Sequence, residues 1–250
     1  MPITGRAFEA VMRFVIHPAI ILLLAALMCS GGCGHDAEKE ESPQKKSFTV
    51  KSLAKSDIDG VLDIHVQEIR SYLRELMVKL YKRNPRELEK SGYPDPEKNI
   101  ARVFDEQHNW KFEELQNKKS TDAIQLAFDQ SYEGDRVFAF SVGLTSMIMA
   151  AYGNKTEFYM LDKVEPQKLY NSARNVEIAV WKLEHDVDIG GQLFLYTNSL
   201  PGEEVNLSYE RLFGKIIATQ DNIAVIIADS TNRVIKKVIQ QAAMAAFLPI

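Results

Sequence analysis

VFAFSVGLTSMIMAAY, running from Val137 to Tyr152, is the stretch around which the rest of the chain is organised. Asp135 stands just before it, where an N-cap belongs, and Gly153 stands just after it, where a left-handed residue is favoured. Its only polar members, Ser141, Thr145 and Ser146, carry hydroxyls that can bond back into a helix. No face is charged, so a helix here has no side for water and must be wrapped by neighbours. Ala139, Gly143, Ser146 and Ala150 recur at four-three-four spacing and form a stripe of small residues for close helix packing. The expected fold is all-α: a multi-helix globular domain around this buried central helix. The stretch is too short, and Asp135-Arg136 too polar, for a comfortable membrane span.

Outward from it, the spacing predicts further helices. Ser56 caps a long one with Asp59 at its third position, a weak capping box. Ile58, Leu62, His65, Ile69, Leu73, Leu76 and Leu80 form its apolar stripe until Asn84-Pro85 ends it. A short helix over 86–90 follows, then one from Asp95-Pro96 with Trp110 near its end, and one capped by Ser120-Thr121-Asp122. Beyond the centre, 157–164 reads as a short helix and Pro166 starts a longer one that Gly190-Gly191 stops. Gln192 to Leu200 has the one strand-like composition, but a lone strand has no partner, so a packed loop or helical turn is expected. From Leu207 to about Phe247 the apolar phase persists through Asp229-Ser230-Thr231-Asn232. This predicts one long helix, or two nearly collinear ones, lying against the central helix.

The beginning of the chain differs in kind. Arg6 and Arg13 precede the apolar run Ala19 to Met28, and Cys29-Ser30-Gly31-Gly32-Cys33-Gly34 follows. A positive start, a short apolar run and small residues at the exit describe a secretory signal peptide. These residues resemble a bacterial lipoprotein precursor, in which signal peptidase II cuts before a cysteine that then carries the lipid. Ser30-Gly31-Gly32 favours Cys33 over Cys29, which follows the bulky Met28. Cys33 lacks the leucine or valine usual three residues earlier, so Cys29 stays open, as do a Cys29–Cys33 disulfide, an ordinary secretory cut and an uncleaved anchor. The resemblance implies a signal peptide over 1–32 and lipid attachment at Cys33, with the membrane as first partner. Gly34 in place of an aspartate leans towards the outer membrane. Residues 33–55, polar and without an apolar period, read as a flexible tether, leaving 56–250 as the helical domain.

Composition narrows function by exclusion. A net charge of −4 without a basic, aromatic-interleaved stripe argues against a nucleic-acid partner. Asp57, Asp59, Asp63 and His65 cluster in sequence, but on a helix His65 lies on the apolar stripe while Asp59 and Asp63 face elsewhere. A core histidine bonded to a neighbouring polar group is expected, not a metal site. In Glu184-His185-Asp186-Val187-Asp188 the spacing lets His185 meet Asp188 near a helix C-terminus. No cysteine remains after Cys33, and there is no Gly-x-Ser-x-Gly turn to supply a nucleophile. Gly190-Gly191 lacks the lysine of a phosphate loop, and Met147, Met149 and Met160 read as core filler. No catalytic residue, cofactor or metal site is expected. The leading expectation is a non-enzymatic, periplasm-facing envelope protein that binds a protein partner or supports an envelope assembly. The alternative is a carrier of an apolar ligand, with Phe138, Phe140, Trp181 and Phe213 lining its cavity.

Overall fold

In a computed structural model the described residues are 56–93, 95–199, 202–237 and 246–250. The expected signal peptide, the tether and Cys33 lie outside them. The described residues form seven α-helices: α1 Asp57–Arg83, α2 Pro85–Lys90, α3 Pro96–Phe104, α4 Ser120–Ala127, α5 Arg136–Ala151, α6 Pro166–His185 and α7 Ser208–Ser230. No strand occurs among them, and one isolated antiparallel bridge joins Val187 to Leu193. The domain is all-α.

Local chemistry fixes the helix ends as the residues suggest. The Ser56 hydroxyl accepts from the Asp59 N–H at 3.3 Å, and the Asp59 carboxylate accepts from the Ser56 N–H at 2.7 Å, closing the capping box. Asp135 caps α5 by accepting from the Phe138 N–H at 2.9 Å, and Gly153 takes φ +67° beyond its end. Pro85, Pro96 and Pro166 each occupy the first turn of a helix.

The four long helices close a ring of contacts: α1 packs on α5, α5 on α6, α6 on α7, and α7 back on α1. α4 lies on the outer side of α5, and α3 on α1. Every residue of α5 except Ala150 is buried. The small-residue stripe works as close packing requires: a Cβ on Gly143 would stand 2.6 Å from the Ile124 nitrogen and 2.9 Å from the Ser120 carbonyl oxygen. Ser146 completes that contact, its hydroxyl accepting from the Ser120 N–H at 2.7 Å and donating to Val142 O at 2.6 Å. Among the described residues no helix is long and apolar enough to cross a membrane.

Four expectations need correction. α7 ends at Ser230, because Asn232 takes a left-handed φ of +51° and the Asn232 and Arg233 N–H groups turn back onto Asp229 O and Ala228 O; 231–237 are not helical, and the rest of the expected continuation, 238–245, lies outside the described residues. α7 also packs on α6 and α1, across the ring from α5, and not chiefly on α5. Residues 157–164 form turns, held by Asp162 accepting from the Tyr159 N–H and by Asp63 accepting from the Phe158 N–H. α4 is capped by no hydroxyl of its own: Ser120 takes φ +53°, and its N–H goes to Ser146 of α5.

Extended segments without a sheet satisfy their backbones through amide side chains. Asn84 donates to Tyr196 O at 2.8 Å and accepts from the Tyr196 N–H at 2.7 Å. Gln130 likewise donates to Val187 O at 3.0 Å and accepts from the Ile189 N–H at 3.1 Å. Within the described residues, the strand-like 192–199 is therefore the packed loop expected, with Leu195 fully buried.

Candidate functional site

The sequence candidates do not converge. His65 is half-buried on α1, and its Nδ1 has no hydrogen-bond partner among the described residues, contrary to the bonded core histidine expected. Asp59 is engaged in its cap and Asp63 in the 157–164 turn. His185 does not meet Asp188. Its Nδ1 lies 2.8 Å from Trp181 O, and its ring stacks on Trp181 at 4.6 Å between centroids. Asp188 instead accepts from the Gln192 N–H at 2.9 Å, because the Val187–Leu193 bridge folds that turn on itself. Met147 and Met149 are core, but Met160 is 63% exposed and fills nothing. Phe138 and Phe213 are buried and Phe140 fully so, with Phe138 edge-on to Phe112 at 5.0 Å and Phe140 edge-on to Phe128 at 6.0 Å. These rings are packing surface. Among the described residues no group of three or more His, Cys, Asp or Glu side chains could hold a metal ion.

Two clusters were not visible in the sequence. The first joins α2 to the start of α5. The Arg136 guanidinium donates to Ala127 O and Asp129 O at 2.8 Å each and to Tyr132 O at 2.6 Å, while its backbone N–H donates to the buried Glu87 carboxylate at 2.9 Å. Arg136 thereby supplies the carbonyl partners that the end of α4 lacks. Beside it the buried Asp135 accepts from the Tyr81 hydroxyl at 2.7 Å. Burial pushes the Asp135 carboxyl up to about 6, opposed by the Tyr81 and backbone hydrogen bonds. With both terminal guanidinium nitrogens of Arg136 bonded to main-chain carbonyls and its backbone N–H to Glu87, this cluster is a clamp.

The second is a cleft of about 720 Å³ formed where the loop after α3 meets the end of α5. Arg70, His108, Trp110, Lys119, Met149 and Asn154 are among its lining residues. Trp110 is not the end of a helix, as expected, but a loop residue at φ +59°. Such a backbone is uncommon for a bulky side chain and needs surrounding structure to hold it. His108 provides the hold: its Nδ1 accepts from the Trp110 N–H at 3.2 Å, its Nε2 lies 2.9 Å from Val103 O, and the two rings meet edge-on at 4.3 Å. Asn154, which also lines the cleft, takes a positive φ of +58° as well. Arg70 donates to Phe104 O at 2.6 Å, and burial holds its guanidinium below the usual arginine range. The arrangement offers an aromatic face, two cations and several amides. Both nitrogens of His108 are committed to backbone, which leaves it no free position from which to move a proton.

No protein-family model matches the chain, and no curated protein or solved structure matches it either.

Proposed function

We propose that the chain is a lipid-anchored envelope protein, carried on Cys33 and facing the periplasm from the outer membrane, that works without catalysis by binding a partner protein. The observation that carries the binding reading is Trp110, an aromatic held in a left-handed conformation at an open cleft walled by Arg70 and Lys119. Backbone strain of this kind gathers at ligand-contacting positions. Aromatic and arginine side chains are also the groups that dominate partner interfaces. The carrier reading is weaker, because Phe138, Phe140 and Phe213 pack within the core.

Two measurements test the proposal. Intact mass and membrane fractionation of the chain expressed with its signal, beside Cys33→Ala, should give a lipidated chain beginning at Cys33 that the variant loses. An unmodified chain in both would overturn the anchor. A photo-crosslinking residue at the exposed Asn109 should then capture one partner, and Trp110→Ala should lose it while remaining folded. Capture that ignores Trp110→Ala would move the interface elsewhere.

A further inference from the structure

A second surface, on α6, reads main chain. Gln167, Asn171 and Asn175 stand four residues apart on one face, a track of roughly 12 Å at 1.5 Å per residue. Asn175 is fully buried, and its amide grips Leu248 from both sides: it donates to Leu248 O at 2.9 Å and accepts from the Leu248 N–H at 2.7 Å. Asn171 donates to Pro249 O at 2.9 Å. Gln167 donates to Asn171 Oδ1 at 2.8 Å, aligning the neighbouring amide, and grips Lys236 in the same two-sided way, at 3.1 and 2.7 Å.

Three features make this a binding track and not only a packing contact. Every one of these bonds to the seated segments ends on a backbone N–H or C=O, so the polar contacts recognise an extended chain, while Phe247 and Ile250 add apolar contact with the core. The residue before Pro249 is biased to extended geometry, which presents the Leu248 N–H and C=O sideways, as a strand presents them to its neighbour. The segment also sits as a partly exposed cover: Ala246 and Pro249 are exposed, Phe247 and Ile250 pack in part against the core, and the amide beneath them is inaccessible to water while they are in place. An empty track would uncover the Asn175 donor and acceptor to water, and an extended backbone that refills it replaces both bonds.

We infer that this face of α6 is a peptide-binding site. Residues 246–250 occupy it in cis, and an extended apolar segment of a partner protein, of about the same length, takes it by displacing them. The inference concerns a surface apart from the Trp110 cleft and does not depend on lipidation.

The test uses the full chain and a fluorescent peptide of residues 246–250, followed by anisotropy. The unmutated chain should show no saturable binding of micromolar peptide, because the tethered segment competes at an effective concentration on the order of millimolar. Leu248→Pro removes the N–H that Asn175 accepts from and should open the track to the peptide. The same peptide N-methylated at the position of Leu248 should fail to bind. Adding Asn175→Leu to Leu248→Pro should abolish binding with helical circular dichroism unchanged. Binding that survives Asn175→Leu or N-methylation, or a folded Leu248→Pro chain that binds nothing, would overturn the proposal. Amide exchange on the unmutated chain tests displacement independently and needs no variant. Leu248 should exchange well before the amides of α5; exchange only together with them would make 246–250 part of the core and refute displacement. A dimer of the unmutated chain dispersed by excess peptide would make the occupant a second copy and overturn the partner assignment.

Discussion

Replacing Gly143 by alanine tests whether the small-residue stripe of α5 is what lets α4 approach. In a solvent-facing helix interior, glycine to alanine is favourable by up to about 1 kcal/mol, because alanine restricts the unfolded chain and suits the helix better. At Gly143 the new methyl carbon would stand 2.6 Å from the Ile124 nitrogen, 2.8 Å from its Cγ1 and 2.9 Å from the Ser120 carbonyl oxygen. Two of those three atoms are backbone, so no side-chain rotation relieves them and α4 must move away. That movement would also stretch the 2.7 Å bond from the Ser120 N–H to Ser146. Overpacking of this kind costs about 1–3 kcal/mol net, so the sign is opposite to the propensity effect. For a domain of this size each kcal/mol lowers the melting temperature by roughly 2–4 °C. Gly214 in α7 and Gly60 in α1 provide controls, since a Cβ at either meets nothing within 4 Å. Chemical denaturation followed by far-ultraviolet circular dichroism should show Gly143→Ala destabilised and Gly214→Ala stabilised, with Gly60→Ala neutral to stabilised. If Gly143→Ala tracks Gly214→Ala, the close approach of α4 to α5 is refuted.

Asp135 gives a pH prediction. Its folded-state value of about 6 lies above the ordinary ~3.9 of an aspartate, so the folded chain holds that proton more tightly than the unfolded one. Its contribution is therefore complete below about pH 4 and is lost as pH rises towards 6, on the order of 3 kcal/mol. Asp135→Asn keeps the cap through its Oδ1 and turns its Nδ2 donor towards the Tyr81 hydroxyl oxygen, and with no group left to titrate it should flatten stability across that window, as measured by denaturation at stepped pH. Glu184, pushed up to about 7 by burial and then by the neighbouring Glu210 carboxyl, acts in the same direction, so Glu184→Gln should remove a further decline between about pH 4.3 and 7. Arg136→Lys keeps the charge but cannot reach Ala127, Asp129 and Tyr132 together, and should cost about 2 kcal/mol or more in the same denaturation assay. Trp110→Gly, free to adopt φ +59°, should melt within about 1 kcal/mol of the parent while losing the crosslinked partner.

Much of the frame is legible because it is local. The caps at Ser56, Asp135 and Gly153, the stripe on α1 and the uncharged faces of α5 are each decided by residues within a few positions of one another. The limits of that reading show at Ser230. The apolar phase runs on past it, but Asn232 takes a left-handed φ of +51°, the Arg233 N–H returns to Ala228 O, and the helix stops. Periodicity reports which residues would share a face if the helix continued; it does not report a left-handed residue that turns the chain away. The Trp110 cleft was illegible for a different reason. Nothing in the types of residues 105–119 announces a left-handed tryptophan, whose conformation depends on being fastened to His108 and, through it, to the last turn of α3.

The amide anchors explain how an all-α domain carries strand-like segments without a sheet. A buried or half-buried extended backbone must find donors and acceptors somewhere, and a carboxamide is the one side chain that offers a neighbouring strand's pair of groups, one donor and one acceptor. Asn84, Gln130, Gln167 and Asn175 each make both bonds to an extended segment, reaching 112 residues along the chain from Asn84 to Tyr196 and 73 from Asn175 to Leu248. At such separations no pattern in the sequence links the partners, so each amide reads as an ordinary polar residue on its helix. The device has an energetic consequence that separates these amides from surface asparagines. Asn175→Ala would leave the Leu248 N–H and C=O to find water at the surface, a mild loss. Withdrawing Leu248 likewise uncovers the Asn175 amide to water, so each bond is exchanged for one to solvent at a net of about 0.5–1.5 kcal/mol. An extended segment is therefore held by a few modest, exchangeable bonds, which is the property a receptor for extended peptide requires.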